Sequence, residues 1–144
     1  MNAPHAAYRE CRFHAQDDVS IYYRDYGDPN AAATPVLFLS GLTRNAKDAH
    51  LAASRLAPQR RVLAMDYRGR GRSAYDPNWR NYNPRTYVGD VVQLLAVSDV
   101  HRVVVIGSSL GGLCAMGLGS IVPGALAGVV LIDIGPKIDG AGRD

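Results

Sequence analysis

Four short apolar runs mark the chain at intervals: Pro35 to Leu39 (PVLFL), Arg61 to Met65, Arg102 to Ile106 and Val129 to Ile132. Runs that are continuously apolar rather than alternating predict strands covered on both faces, as in a parallel sheet. Ahead of them, Arg9 to His14 and Val19 to Tyr26 carry aromatic and β-branched residues on either side of Ala15-Gln16-Asp17-Asp18. That arrangement predicts an antiparallel hairpin.

Between the apolar runs the period lengthens to that of a helix. Asn45 is placed to cap a helix from Ala46 to Leu56, with Asp48 able to bond back, and Pro58 lies just beyond. Asn83 caps a second helix with Pro84 at its first position, and Tyr87, Val91, Leu94 and Leu95 recur along one face. A glycine-rich segment from Leu110 to Ile121, ahead of Pro123, predicts a third. The order is a hairpin, then strand, helix, strand, helix, strand, helix, strand. It implies an α/β fold: a mostly parallel open sheet with a leading antiparallel hairpin, right-handed crossovers and helices on both faces. No repeat, linker or low-complexity tract interrupts residues 1–144, which read as a single domain.

Composition narrows this further. With 47% hydrophobic and 20% charged residues, the chain has the make-up of a soluble globular domain, not of a disordered or collagenous one. The longest apolar stretch, Ala125 to Ile134, is broken by Gly128 and Asp133 and is too short to cross a bilayer. Met1 to Asp18 contains His5, Arg9, Glu10, Arg12 and His14 and lacks the apolar run of a secretory signal. Cys11 and Cys114 are far apart and match no disulfide or metal-ligand spacing, so no cofactor or metal is expected and the expected setting is cytoplasmic. Net charge is +3, but the basic residues are spread along the chain and do not by themselves indicate an anionic partner.

In open α/β sheets chemistry gathers in loops at the carboxyl ends of the strands, and three such loops stand out. Gly107-Ser108-Ser109-Leu110-Gly111 fits G-x-S-x-G between a strand and a helix. A sharp turn there exposes the serine hydroxyl at the positive end of the helix, which favours acyl-transfer chemistry. The bland alternatives are a close-packed glycine turn or a phosphate-binding turn, although no G-x-G-x-x-G or G-K-[ST] follows the strand. Cys114 reads as a small core residue. Ser40-Gly41-Leu42-Thr43-Arg44-Asn45 either brings the Leu42 N–H toward a substrate oxygen beside that of Leu110, or is an ordinary turn feeding an N-cap. The third loop, Asp66 to Tyr75, interleaves Arg68, Arg70 and Arg72 with glycine. It reads either as a nucleic-acid contact or, as we prefer, as a turn whose arginines are solvated or paired with nearby carboxylates.

Taken in order, the three loops resemble the α/β-hydrolase superfamily. Its H-G-x pattern is similar to Ser40-Gly41-Leu42, its D-x-R-G-x-G-x-S turn to Asp66 through Ser73, and its nucleophile elbow to Gly107 through Gly111. The resemblance implies Ser109 as nucleophile, Leu42 and Leu110 as backbone oxyanion donors, and Gly107 and Gly111 as the elbow glycines. Ser40 stands where the family usually has histidine. A serine at the elbow separates the chain from the family's dehalogenase and epoxide-hydrolase branches. Family order is nucleophile, acid, histidine, yet His5, His14, His50 and His101 all precede Ser109. The chain therefore resembles the amino-terminal half of a family member, with the lid, last strands and histidine loop absent. Asp133, at the end of the last apolar run, is a candidate acid in so far as the chain resembles the branches that place theirs after this strand, most branches placing it after the next one, which is absent here; its other role is a turn at the strand end helped by Gly135 and Pro136.

The expected function is hydrolysis of a small ester-like or other carbonyl substrate through an acyl-enzyme, without cofactor and without nucleic-acid or membrane partners. A catalytically silent fragment that associates through an unpaired sheet edge is the alternative.

Overall fold

A computed structural model describes residues 7–134. The expected hairpin is β1 (Tyr8–His14) and β2 (Ser20–Tyr26), and the four apolar runs become β3 (Val36–Leu39), β4 (Val62–Met65), β5 (Val103–Ser108) and β6 (Leu126–Ile132). They form one sheet in the order β1-β2-β4-β3-β5-β6. β2 runs antiparallel to both β1 and β4, whereas β4, β3, β5 and β6 are mutually parallel. The anticipated α/β architecture is what the chain adopts.

Two boundaries differ from expectation. The helix expected from Ala46 begins as a single 3-10 turn, Ala46–Ala49, and becomes α1 only at His50–Leu56. The Asn45–Asp48 capping box is present, but the Ala46 N–H donates at 2.6 Å to the Asp66 carboxylate at the end of β4. A tertiary bond thus takes the first amide of the turn. β6 starts at Leu126 rather than Val129 and contains Gly128, which lies opposite Val104 beside a register shift in β5. Local propensity argues against glycine in a strand, and pairing with β5 overrides it.

The sheet separates two apolar layers because successive side chains alternate between its faces. Leu37, Leu39, Leu63, Met65, Val103 and Val105 pack under α2 (Pro84–Val97) and α3 (Leu110–Ile121). On the opposite face Tyr26, Val36 and Val62 pack against Ala53 and Ala57 beside α1. α1 covers only part of that face. Phe38, Val104 and Ile106 are half-buried there, and Val130 and Ile132 are 48% and 44% exposed. Among the described residues β6 pairs on one side only, with β5.

Buried charge ties the loops to this scaffold. Arg68 is 2% exposed and makes a bidentate pair with Asp90 of α2 at 2.8 and 2.6 Å. Its Nη1 also donates to Asp76 at 2.7 Å and to Asp17 in the hairpin turn at 2.6 Å. Arg61 makes a second bidentate pair with Asp25, at 3.0 and 2.9 Å, and donates to the Ser98 carbonyl. The hydrogen bond from Arg68 holds the Asp17 carboxyl below its ordinary range, while burial holds that of Asp90 above it.

Arg68→Ala should therefore leave buried carboxylates without a counter-charge and lower stability by about 3–5 kcal/mol at pH 7. The pH dependence has a definite sign. In the parent chain the contribution of Asp17 is complete at neutral pH and is lost as pH falls below about 4. In the variant, Asp90, raised by burial and stripped of its arginine, gains a proton more readily folded than unfolded, so stability should rise as pH is lowered from 7 toward 5. Denaturant unfolding of parent and variant between about pH 7 and pH 3 checks both slopes.

Candidate active site

β5 passes into α3 through Ser109, whose backbone has φ 51° and ψ −111°. A non-glycine residue held there carries of the order of 1–3 kcal/mol of strain, sustained only where the surroundings demand it. They do so here through two glycines. A Cβ on Gly107 would lie 2.5 Å from the Gly111 carbonyl oxygen, and one on Gly111 would run into the Leu39 carbonyl of β3. The turn is pinned on both sides: the Ser109 N–H donates to Ile132 of β6 at 3.2 Å, and its carbonyl accepts from Gly112 and Leu113 of α3. The residue itself is exposed.

The loop after β3 closes on this turn, and a Cβ on Gly41 would be 3.7 Å from that of Ser109. Leu42 follows with its side chain 57% exposed. Leu110 is the first residue of α3, where an amide has no intrahelical acceptor and faces the positive end of the helix dipole. Among the described residues, neither the Leu42 nor the Leu110 N–H donates to a backbone acceptor. Beside the turn, on the α1 side, lies a groove of about 290 Å³ lined by Phe38, Ser40, Gly41, Ile106, Ser108 and Ile132 among others.

Two residues that shape this region were not singled out as site residues from the sequence. Tyr67 is buried, and its hydroxyl donates to the Ser40 carbonyl at 2.9 Å, fixing the peptide ahead of Gly41. Burial raises its pKa far above the ordinary phenol range, so the hydroxyl keeps the proton it donates. Asp66 accepts from the Ala46 N–H through one oxygen and from the Arg72 N–H through the other, knitting the second loop to the third. Asp66 was visible as the first letter of its motif, but Tyr67 carried no signal beyond its position in that motif.

The other candidates fall as follows. Asp133 ends β6 at φ 55°, one residue after the carbonyl that binds Ser109, and is exposed; Gly135 and Pro136 lie outside the described residues. His14 and His101 contact Asp18 and Asp99, and His50 lies 2.8 Å from the Tyr26 hydroxyl. His101 precedes β5, so a strand of 6 residues separates it from Ser109. His5 lies outside the described residues. Of the loop arginines, Arg68 is paired with carboxylates, Arg70 lies over the Tyr67 and Tyr87 rings, and Arg72 pairs with Glu10. Cys114 is fully buried and its thiol is pushed up to about 11 by burial. Among the described residues no group of three or more His, Cys, Asp and Glu side chains could hold a metal ion, and no helix is long and apolar enough to cross a membrane.

A strained, exposed serine between a parallel strand and a helix, with two further loops closing on it, is the arrangement of the α/β-hydrolase fold. The model of that family matches residues 34–141, and the chain belongs to it. Its similarity to individual members is substantial. It is 37% identical over 116 residues to a 3-hydroxybutyrate-oligomer hydrolase of Cupriavidus necator, covering 81% of this chain and 39% of that protein. It is 32% identical over 125 residues to the sn-1-specific diacylglycerol lipase ABHD11 of Danio rerio, covering 85% and 38%. Among solved structures, an α/β hydrolase from Novosphingobium aromaticivorans superposes with a TM-score of 0.87 at 40% identity, covering 96% of this chain and 48% of that one. The chain thus spans about two fifths of the length of these curated relatives.

Replacing Ser109 by glycine should remove the strain at φ 51° and raise stability by about 1 kcal/mol, after allowance for glycine's greater unfolded-state freedom. Ser109→Ala, which keeps the Cβ, should bring no such gain. Thermal unfolding of the two variants side by side separates strain from loss of the hydroxyl.

Proposed function

We propose that this chain carries the nucleophile and oxyanion hole of a serine hydrolase that cleaves carboxylic esters. The observation that carries the reading is Ser109 itself: a non-glycine residue at positive φ, exposed, at the amino end of α3. In this reading Ser109 Oγ attacks the ester carbonyl carbon and the oxyanion forms between the Leu42 and Leu110 N–H groups. The C–O bond to the alcohol then breaks as the alcohol takes up a proton, leaving an acyl-enzyme that water hydrolyses. One such donor typically contributes about 10²–10³ in kcat. The substrate class is small esters, consistent with the oligomeric hydroxy-acid ester and the diacylglycerol named for the two relatives.

The general base is the missing part. His14, His50 and His101 are engaged elsewhere, and no histidine follows Ser109 in the sequence. We place the base outside these 144 residues, in keeping with the greater length of the relatives. Asp133 is the candidate acid because β6 lies directly beside β5. The second reading, a silent fragment that self-associates, is favoured by the one-sided pairing of β6 among the described residues and the exposure of Val129, Val130 and Ile132.

Three measurements test these readings. A fluorophosphonate probe should label the chain slowly and at Ser109, located by peptide mass spectrometry, and Ser109→Ala should not be labelled. Labelling elsewhere would remove Ser109 from the mechanism. Hydrolysis of p-nitrophenyl butyrate should stay at or below the residual of about 10³–10⁴ over water that oxyanion donors and binding alone supply. For the edge, sedimentation should show concentration-dependent self-association that Val130→Lys reduces; a monomer at every concentration would exclude it.

A further inference from the structure

At the end of the sheet away from β6, cations collect over aromatic rings in a place the chemistry at Ser109 does not use. In the β1–β2 register, Tyr8, Glu10 and Arg12 lie opposite Tyr26, Arg24 and Tyr22. The Arg24 guanidinium lies 4.1 Å from the Tyr8 ring centroid, and those of Arg12 and Arg72 lie 5.6 and 5.5 Å from the Tyr22 ring. Arg24 is only 8% exposed. Its Nη1 donates to the Tyr26 hydroxyl at 3.1 Å and lies 3.5 Å from His50 Nδ1, while its Nε is buried and has no partner.

That is an uncommon state for a guanidinium, because arginine cannot shed its proton and a buried N–H without an acceptor is costly. The nearby carboxylate does not supply the acceptor. Glu10 takes the Tyr22 hydroxyl at 2.9 Å and pairs with Arg72, and none of the ion pairs among the described residues includes Arg24. Arg24 also lines a pocket of about 90 Å³, together with Tyr22, Asn45, Lys47, Asp66, Gly71 and Arg72. That space admits several water molecules, and so one carboxylate or phosphate group. Arg24, Lys47 and Arg72 all line the space, Arg72 while pairing with Glu10, and the one carboxylate in the lining, Asp66, already accepts an N–H through each oxygen.

We propose that this cavity is a binding site for a small oxyanion, the chemistry shared by inorganic phosphate and the carboxylate of a short organic acid. The Arg24 and Arg72 guanidinium groups and the Lys47 ammonium group are its donors, arginine being suited to both oxyanions by its planar fork. The site is separate from the oxyanion hole. β2 and β5 are three strand spacings apart, roughly 14 Å. Asn45 borders both the cavity and the groove beside Gly41, so a bound anion would rest against the turn that continues the Gly41–Leu42 loop. The proposal does not depend on Ser109 being a nucleophile.

Thermal unfolding of the purified protein, titrated with sodium phosphate or sodium acetate against sodium chloride at constant ionic strength, tests the site. A saturable rise in Tm is expected with at least one oxyanion and not with chloride. A response to phosphate alone assigns free phosphate, one to acetate alone assigns a carboxylate, and equal responses assign a site open to either oxyanion. Lys47→Gln and Arg72→Gln alter exposed side chains and should leave Tm without added anion little changed, yet each should weaken the apparent affinity at least fivefold. Arg24→Lys, which retains the charge, should weaken it further. No saturable shift with either oxyanion, or shifts that survive both exposed substitutions undiminished, would overturn the proposal.

Discussion

The close approach of three backbones at Gly107, Gly111 and Leu39 is the constraint on which the rest of the site depends. A side chain on either glycine would meet a carbonyl group, that of Gly111 or that of Leu39. Because neither has one, α3 leaves β5 in a single residue, and that residue must accept φ 51°. The strain at Ser109 is balanced by the β5–β6 pairing and the amide of Ser109 bonded to Ile132. An exposed hydroxyl at a helix amino end is thus a consequence of core packing.

Around this turn, polar bonds align the loops while apolar burial supplies most of the driving force. Asp66 joins the β3 and β4 loops by accepting one amide from each, and Tyr67 anchors the Ser40 carbonyl from within the core. Arg68 gathers Asp17, Asp76 and Asp90 from three separate segments. Such a cluster is expensive to break and not obviously stabilising relative to a well-packed apolar alternative. Its effect is to determine where the arginine–glycine loop lies, leaving Arg70 and Arg72 over tyrosine rings instead of extended into solvent.

The two edges of the sheet differ in character. At β1–β2 the surface is aromatic and cationic and enclosed by the Asp66–Ser73 loop and the turn before α1. At β5–β6 it is aliphatic and only partly covered, with α1 spanning the other side of the same face. Relatives whose chains run to more than twice the matched length have ample material to pack there, which accords with placing the general base outside these residues.

Much of this was legible in the sequence alone. Continuous apolar runs and capped helical periods determined the element order and a largely parallel sheet, and the three loop motifs determined which turns hold Ser109, Leu42, Leu110, Gly107 and Gly111. These features are local: periodicity, caps and tight turns are written in consecutive residues. What tertiary structure alone decided is non-local. The Ala46–Asp66 bond turned the start of a helix into a 3-10 turn, and pairing with β5 drew Leu126 and Gly128 into β6. The Tyr67–Ser40 bond and the Arg24–His50 contact join residues 26 or more positions apart in the sequence. Only closure of the chain brings such pairs together, and no pattern in either segment records its partner.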